Sequence, residues 1–439
     1  MVLCFDDRIM NPVSARDRIS AIDILRGAAL FGILAANMRG LAGPRAVYFD
    51  PDALWNAPWD RITSGLNFLL VQQKFITIFS VLFGLGFAIQ MSRAMERGGG
   101  LWFYARRLAI LALFGVAHAW VVWWGDILFD YAVTGLLLFV FFRKCRPKTV
   151  AIWATLLLSV EMVMPLGFWA WSRLRPAAAP AAQSSRQPGR QSAPQQPPSA
   201  AERQRRIQRE IRMQTGSYPE IVRSNFEIWR RSHRNPVLYV VLLPLFLSGL
   251  WLWRSGFIPN LPAYIPTLGR VWKGALALAL PLIGFIVYVE TAVKPPRNQP
   301  TLAGGLEGSA MMLLALSLAA TYGALLLAGA QSPRWQPRLA PFGAVGRMAL
   351  TNYLLQSVLL TWAFRLTGLY AQPWFGPLLL LVPTILFFAM QVWASNWWLE
   401  RYQFGPLEWL WRSLTYGHKQ PLRRITEAPH RDEAAAAEA

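Results

Sequence analysis

Long apolar runs alternate with short polar connectors along almost the whole chain, each near the roughly 20 residues that cross the hydrocarbon of a bilayer. They predict spanning helices at about 19–40, 66–90, 106–124, 127–142, 149–171, 236–254, 270–290, 309–329, 347–366 and 376–398, the fourth being the shortest. The fold class that follows is an all-α integral membrane protein, a bundle of about ten transmembrane helices in two halves. The divider is a stretch from about 172 to 200, rich in Pro, Ala, Gln and Ser, which buries too little apolar surface to order itself and reads as a disordered linker. The predicted organisation is a five-helix membrane half over 1–175, a linker and basic amphipathic helix over 176–235, and a second five-helix half with an interfacial helix over 236–425.

Composition agrees with membrane burial: 54% of residues are apolar and 13% aromatic. The net charge of +21 does not point to nucleic acid, because Lys and Arg lie mainly between the apolar runs. Their distribution sets an orientation. Arg93, Arg97, Arg106 and Arg107, then Arg143, Lys144, Arg146 and Lys148, then Arg254, Arg270 and Lys273, then Arg334, Arg338 and Arg347 all fall in connectors that would be internal, while the connectors around Gly125 and 369–375 carry no basic residue. Both termini are therefore expected in the cytoplasm. Asp23 and Arg26 interrupt the first run and no small-residue cleavage site follows it, so that run reads as a retained helix, not a secretory signal. Cys4 and Cys145 fall on the reducing side, and no Cys-based metal site is expected.

Residues 201–232 read as helical and strongly basic on the outer side. Ile211, Tyr218, Ile221, Phe226 and Trp229 could face lipid while the arginines meet anionic headgroups; the alternative is a solvated charged face. After the last span, FGPLEWLWR at 404–412 reads as a helix starting near Gly405 and Pro406, with Glu408 and Arg412 one turn apart and Trp409 and Trp411 as interfacial anchors.

Ionisable groups inside a membrane helix are costly when unpaired, so each is a candidate for function. Asp23 and Arg26 share one face of the first helix, as a structural ion pair or as a grip on a charged cofactor; Asn37, further along, either orients a reacting carbonyl or caps the helix. Gln72, Gln73 and Lys74 form a polar group in the second helix, with Lys74 either functional or snorkelling to headgroups. His118 is the only histidine in a predicted span. A tight hairpin at Gly125 sets Asp126 at its mouth and Asp130 at the depth of His118, an arrangement suited to general-base catalysis, with plain packing as the alternative. On the ninth span Arg347, Asn352, Tyr353, Gln356 and Ser357 form a polar run that either serves a site or hydrogen-bonds between helices. Gly84 and Gly86 of FGLGF read as close-packing positions. No P-loop, dinucleotide fingerprint, HExxH or GxSxG occurs, which removes ATP-driven transport by this chain.

Five segments resemble the YeiB-like bacterial membrane proteins that carry domain of unknown function 418: RISAIDILRGAALFGILAANM from Arg18, FSVLFGLGF from Phe79, HAWVVWWGDILFDYA from His118, GRMALTNYLLQS from Gly346 and FGPLEWLWRSLTYGHKQPLRR from Phe404. His118, Gly125 and Asp126 belong to that pattern, and Asp130 does not. The first helix is also similar to the opening segment of heparan-alpha-glucosaminide N-acetyltransferase, with Arg18, Asp23, Arg26-Gly27 and Asn37 in the same order. The histidine of that pattern does not follow Asn37 here, so His118 would stand in for it. The resemblance implies a bacterial inner-membrane acyltransferase with acyl-CoA as cytosolic donor and a small-molecule or envelope acceptor. Arg26 would hold the donor, His118 would act as base and Asp126 would orient it. Two alternatives stay open: a proton-coupled transporter with Lys74, His118, Asp126 and Asp130 as relay, and a non-catalytic component that recruits an envelope partner through 201–232. Besides the bilayer and the substrate, a second copy of the chain is a possible partner.

Overall fold

The computed structural model describes residues 20–96, 101–174, 200–234, 237–296 and 299–424. The central stretch read as a linker lies almost wholly outside them, as do Cys4, Arg18 and His430. The described chain is helical, with no strand among these residues. In order the helices are α1 (Ser20–Ala42), α2 (Arg45–Phe49), α3 (Pro58–Leu70), α4 (Lys74–Glu96), α5 (Leu101–Ala117), α6 (Leu128–Phe142), α7 (Pro147–Leu174) and α8 (Ala200–Thr215). Then follow α9 (Tyr218–Ser232), α10 (Val237–Arg254), α11 (Ile265–Tyr288), α12 (Leu302–Gln331), α13 (Gln336–Arg347), α14 (Ala349–Leu366), α15 (Pro377–Arg401) and α16 (Pro406–Tyr416).

Each of the ten apolar runs is occupied by helix, and seven described helical stretches are long and apolar enough to cross a membrane, which makes this an integral membrane protein. Two others, α6 and α10, are apolar but shorter. The helix α14 falls outside both groups because Asn352, Gln356, Ser357 and Thr361 dilute it; those side chains are buried against protein, so they never meet lipid.

At the centre is α1, packed against α4, α12, α13, α14 and α15. Helices from before and after the central stretch interleave: α4 pairs with α10, and α7 with α10 and α12. Small residues allow the closest crossings. A Cβ on Gly346 would fall 1.9 Å from the Asp23 carbonyl oxygen, and one on Gly27 would fall 2.0 Å from that of Phe342, so α1 and α13 touch backbone to backbone. Gly84 and Gly249 bring α4 and α10 together in the same way. Gly86 does not: a Cβ there meets nothing within 4 Å, and the residue faces a cavity.

The predicted helix over 66–90 is in fact longer and broken. Helix α3 ends at Leu70, and Gln73 takes a left-handed φ of 69° before α4 begins. The Lys74 ammonium turns back and donates to the Phe68 carbonyl (3.0 Å), one of the carbonyls a helix end leaves without an internal partner. Lys74 is fully buried, so it does not snorkel. Elsewhere Arg254 donates to the carbonyls of Phe142, Arg143 and Cys145 and closes the end of α6, while Asp60 accepts from the Leu378 amide at the start of α15.

The bundle has two ends. At the one where α1 starts, called proximal here, Arg26 donates to Gly346 O, Trp411 to Arg107 O, and Glu408 caps α14. At the distal end, where α1 finishes, Trp123 donates to Gly40 O and the Ala371 amide to Ala42 O. Helices α8 and α9 lie across the distal end. Glu210 of α8 accepts from the Ala46 amide, Gln214 binds Arg365, and Tyr218 and Asn225 of α9 donate to Val121 O and Trp120 O. Their apolar side packs on protein, not lipid: Ile207 and Ile221 are buried, and Phe226 and Trp229 meet the Trp120 ring edge-on. Arginines fill the opposite face.

Candidate functional site

A cavity of about 600 Å³ runs through the bundle, with a length along α1 that reaches from Arg26 to beyond Asn37. Eleven residues of helix separate these two, roughly 16 Å at 1.5 Å per residue. Its proximal end holds Arg26, Arg107, Arg347 and Arg412 with Glu408 and Trp411. The middle is apolar, walled by Phe75, Phe79, Leu82, Phe83, Phe87 and Leu108. Polar groups return distally as Asn37, Arg45, Tyr48, Gln72, Gln73, Asp126, Asp130 and His233. Such a space suits an elongated molecule with an anionic head, an apolar section and a polar far end.

At the proximal end Asp23 and Arg26 form the expected ion pair (2.8 Å), yet Arg26 also lines the cavity. Asp23 lines a second, smaller pocket at that end, and Arg347 stands in the wall of both. The Arg107 guanidinium lies 3.6 Å from the centre of the Trp411 ring. Trp411 is thus part of the cavity wall, not a free interfacial anchor. Glu408 accepts from the Leu350 and Thr351 amides (2.6 and 3.0 Å) and from the Thr351 hydroxyl (2.5 Å), capping α14. Burial raises its carboxyl above the ordinary range, against the pull of the Thr351 hydrogen bonds.

At the distal end α5 does not stop at Ala117 but widens into a π turn, His118–Val122. Turns of this kind displace side chains and are frequent at functional sites. This one points the His118 ring at the loop before α6, where Nδ1 lies 2.8 Å from Asp126 Oδ1; the other Asp126 oxygen accepts from the Phe129 amide (3.0 Å) and caps α6. Gly115 permits that approach, since a Cβ there would fall 2.3 Å from the Phe129 nitrogen. His118 Nε2 is buried without a hydrogen-bond partner, and the Tyr353 ring is 5.5 Å from the imidazole. Asp126 and Tyr353 line the cavity, and His118 lies one layer behind them.

Asp130, expected beside His118, instead accepts a 2.9 Å hydrogen bond from Nε2 of His233, which caps α9. Nδ1 of His233 is 2.8 Å from Trp229 O. With Asp130 ionised, both neighbours accept and the contacts suit a doubly protonated ring. Burial lowers the pKa of His233, but the hydrogen bond and charge of Asp130 outweigh it and hold the pKa above the ordinary value. His233 lies outside the predicted spans. Nothing local marks it, because its partner is 103 positions away.

Of the remaining sequence candidates, Asn37, Arg347 and Tyr353 line the cavity, while Lys74, Asn352 and Gln356 do not. Asn352 and Gln356 join Gln391 and Ser395 in a buried network between α14 and α15 (2.9–3.1 Å). Interhelical hydrogen bonding, one of the two roles open to that run, accounts for both.

Comparison with known proteins agrees with this architecture without adding a reaction. Residues 252–418 match the model of the protein family of unknown function DUF418. The chain is 30% identical over 435 residues to the uncharacterized protein YxaH of Bacillus subtilis (strain 168), covering 95% of this chain and 99% of that one. It is 28% identical over 424 residues to the uncharacterized protein YeiB of Escherichia coli (strain K12), covering 91% and 96% of the two chains. An uncharacterized 39.9 kDa protein from the amylase 3′ region of Bacillus acidopullulyticus is 26% identical over 425 residues, covering 95% of this chain and all of its own. No solved structure matches the chain. Similarity to YxaH at 30% identity over nearly the full length of both chains, with the DUF418 match in the C-terminal half, makes this chain a member of the YeiB-like DUF418 family of membrane proteins.

Proposed function

We propose that the protein is a transmembrane acyltransferase, which takes an acyl group from an acyl-CoA entering at the proximal end and passes it to an acceptor at the distal end. The observation that carries this reading is one continuous cavity with four arginines at one end and the Asp126 carboxylate, bound to His118, at the other. The arginines suit the phosphates of the donor, with fixed planar donors that pair with oxyanions. The apolar section suits a thin pantetheine arm and excludes water from the thioester. The order Asp23, Arg26, Gly27 and Asn37 on α1, similar to the first helix of heparan-alpha-glucosaminide N-acetyltransferase, supports the same assignment. Orientation follows: the arginine-lined end faces the cytoplasm of a bacterial inner membrane, and α8 and α9 face outward.

In the reaction the acceptor hydroxyl or amine attacks the thioester carbonyl, and His118 Nε2 takes the proton lost by the nucleophile. Asp126 fixes the Nδ1 tautomer and stabilises the imidazolium. The carbon–sulfur bond breaks, the thiolate leaves, and the imidazolium returns the proton to sulfur. Because Nε2 lies behind the wall, the π turn or the Tyr353 ring must shift to admit the acceptor. Reconstituted protein given labelled acetyl-CoA tests the proposal. Label should pass to an acceptor from a panel of envelope sugars, amines and lipids, and His118→Ala should reduce the rate by about 10²-fold or more. Absence of both transfer and thioester consumption across the panel overturns it.

The second reading, a proton-coupled carrier, draws on the His233–Asp130 pair in the same wall. Solute flux driven by a pH gradient without acyl-CoA consumption favours it.

A further inference from the structure

Arg39, in the last turn of α1, is the least compensated charge at the distal end. It is 5% exposed. A guanidinium has five N–H donors, but the acceptor it reaches here is Gln72 Oε1, at a long 3.3 Å, and its Nε has none. The Tyr48 ring lies 5.8 Å away, at the limit of a cation–π contact. Among the described residues no carboxylate is within ion-pair distance of it, whereas neighbouring Arg45 has the charge of Glu210 nearby. A buried cation with so few partners is poorly compensated, and an anion is the group that would complete it.

The surroundings are built toward the cavity. Gln72 and Tyr48, the two groups Arg39 touches, both line it, which puts the guanidinium directly behind that wall. Gln72 reaches this position because the helix breaks there, at a left-handed Gln73. Gln73 and Asn37 add side-chain amides to the same end.

We infer that the distal end of the cavity is an oxyanion site centred on Arg39 and Gln72, and that the molecule bound there carries a phosphate or a carboxylate. The transferase reading enters only in calling this molecule the acceptor; the site itself stands on the geometry of Arg39.

Equilibrium binding of labelled orthophosphate and, separately, acetate to the full-length protein in nanodiscs tests it without any acyl donor. Wild type should bind phosphate in two classes, one at each end. Arg39→Gln should lose the distal class or weaken it roughly tenfold or more, the loss of one charge-assisted contact, while Arg412→Gln weakens only the proximal class. Gln72→Leu, which keeps the charge and removes its anchor, should weaken the distal class in the same direction and covers the case in which Arg39→Gln does not fold. Acetate binding that follows the same pattern assigns carboxylates as well as phosphates to the site. If folded Arg39→Gln and Gln72→Leu proteins bind both anions as wild type does, the guanidinium is merely hydrated and the inference falls. Distal binding by a protein that, in the separate assay with labelled acetyl-CoA, neither transfers nor consumes the thioester overturns the transferase reading and leaves the anion site standing.

Discussion

His233 of the α9 cap and Asp130 of α6 meet at 2.9 Å across 103 residues of chain, and this contact ties the distal helices to the bundle. Both ring nitrogens face oxygen atoms there. Asp130 holds the folded pKa of His233 above 6.5 against the effect of burial, and the Trp229 carbonyl and Asp126 add to the hold. A histidine whose pKa is raised on folding contributes stability fully below its unfolded pKa and loses it as pH rises through the folded value. Docking of α8 and α9 should therefore weaken as pH climbs above about 6.5 and passes through the raised folded value. Protease cleavage within 200–234, followed against pH, should accelerate over that window in wild type and show no such dependence in His233→Gln.

His118 and Asp126 give a different test. Asp126→Asn keeps the shape of the contact and an acceptor for the Phe129 amide, so the fold should hold within about 1 kcal/mol. What changes is control of the His118 tautomer, and transfer should fall by about 10²-fold or more with little change in the KM for the donor. A loss confined to KM would mean that the pair positions substrate and takes no proton.

The membrane class and the rows of helices were legible because each run of about 20 apolar residues has one reading in lipid. The cavity was legible only in pieces. Arg26, Asn37, Asp126 and Tyr353 stand out as polar residues in apolar runs, but His233 sits in a polar stretch where a histidine carries no signal. The break at 71–73 was hidden for another reason: Val-Gln-Gln contains no Gly or Pro, and a left-handed Gln73 is imposed by packing and by the Lys74 contact with Phe68. The sequence leaves α8 and α9 as either a lipid-facing helix pair or a solvated charged face, and packing on protein emerges only from long-range contacts such as Arg365 with Gln214.

Lys74 was a candidate for proton transfer and is placed as a helix cap. Lys74→Met removes a buried charge-assisted hydrogen bond to Phe68 O and should cost about 1.5–3 kcal/mol in thermal or denaturant unfolding. Lys74→Gln, which still has a donor, should recover part of that. Neither change should alter the pH profile of activity, whereas His118 and Asp126 variants should. A shifted profile in folded Lys74→Gln would return the ammonium to the reaction.

The two glycines of FGLGF, Gly84 and Gly86, are two residues apart and should respond in opposite ways. A Cβ on Gly84 would stand 2.1 Å from the Phe246 carbonyl oxygen, so Gly84→Ala must push α4 away from α10 along the seam where Gly249 already touches Val81 O. Backbone cannot yield as a flexible side chain does, and the expected cost is about 3 kcal/mol or more, or failure to accumulate in the membrane. Gly86 meets nothing within 4 Å and faces the cavity. Gly86→Ala should be neutral or stabilise α4 by up to about 1 kcal/mol, since alanine is the better helix former. Gly86→Leu should fold as well, but its side chain would enter the apolar middle of the cavity and obstruct any elongated ligand joining the two ends. Melting curves of the three variants, read with donor consumption, separate the packing role of Gly84 from the space kept open by Gly86. Normal turnover in Gly86→Leu would mean that no substrate passes through that part of the cavity.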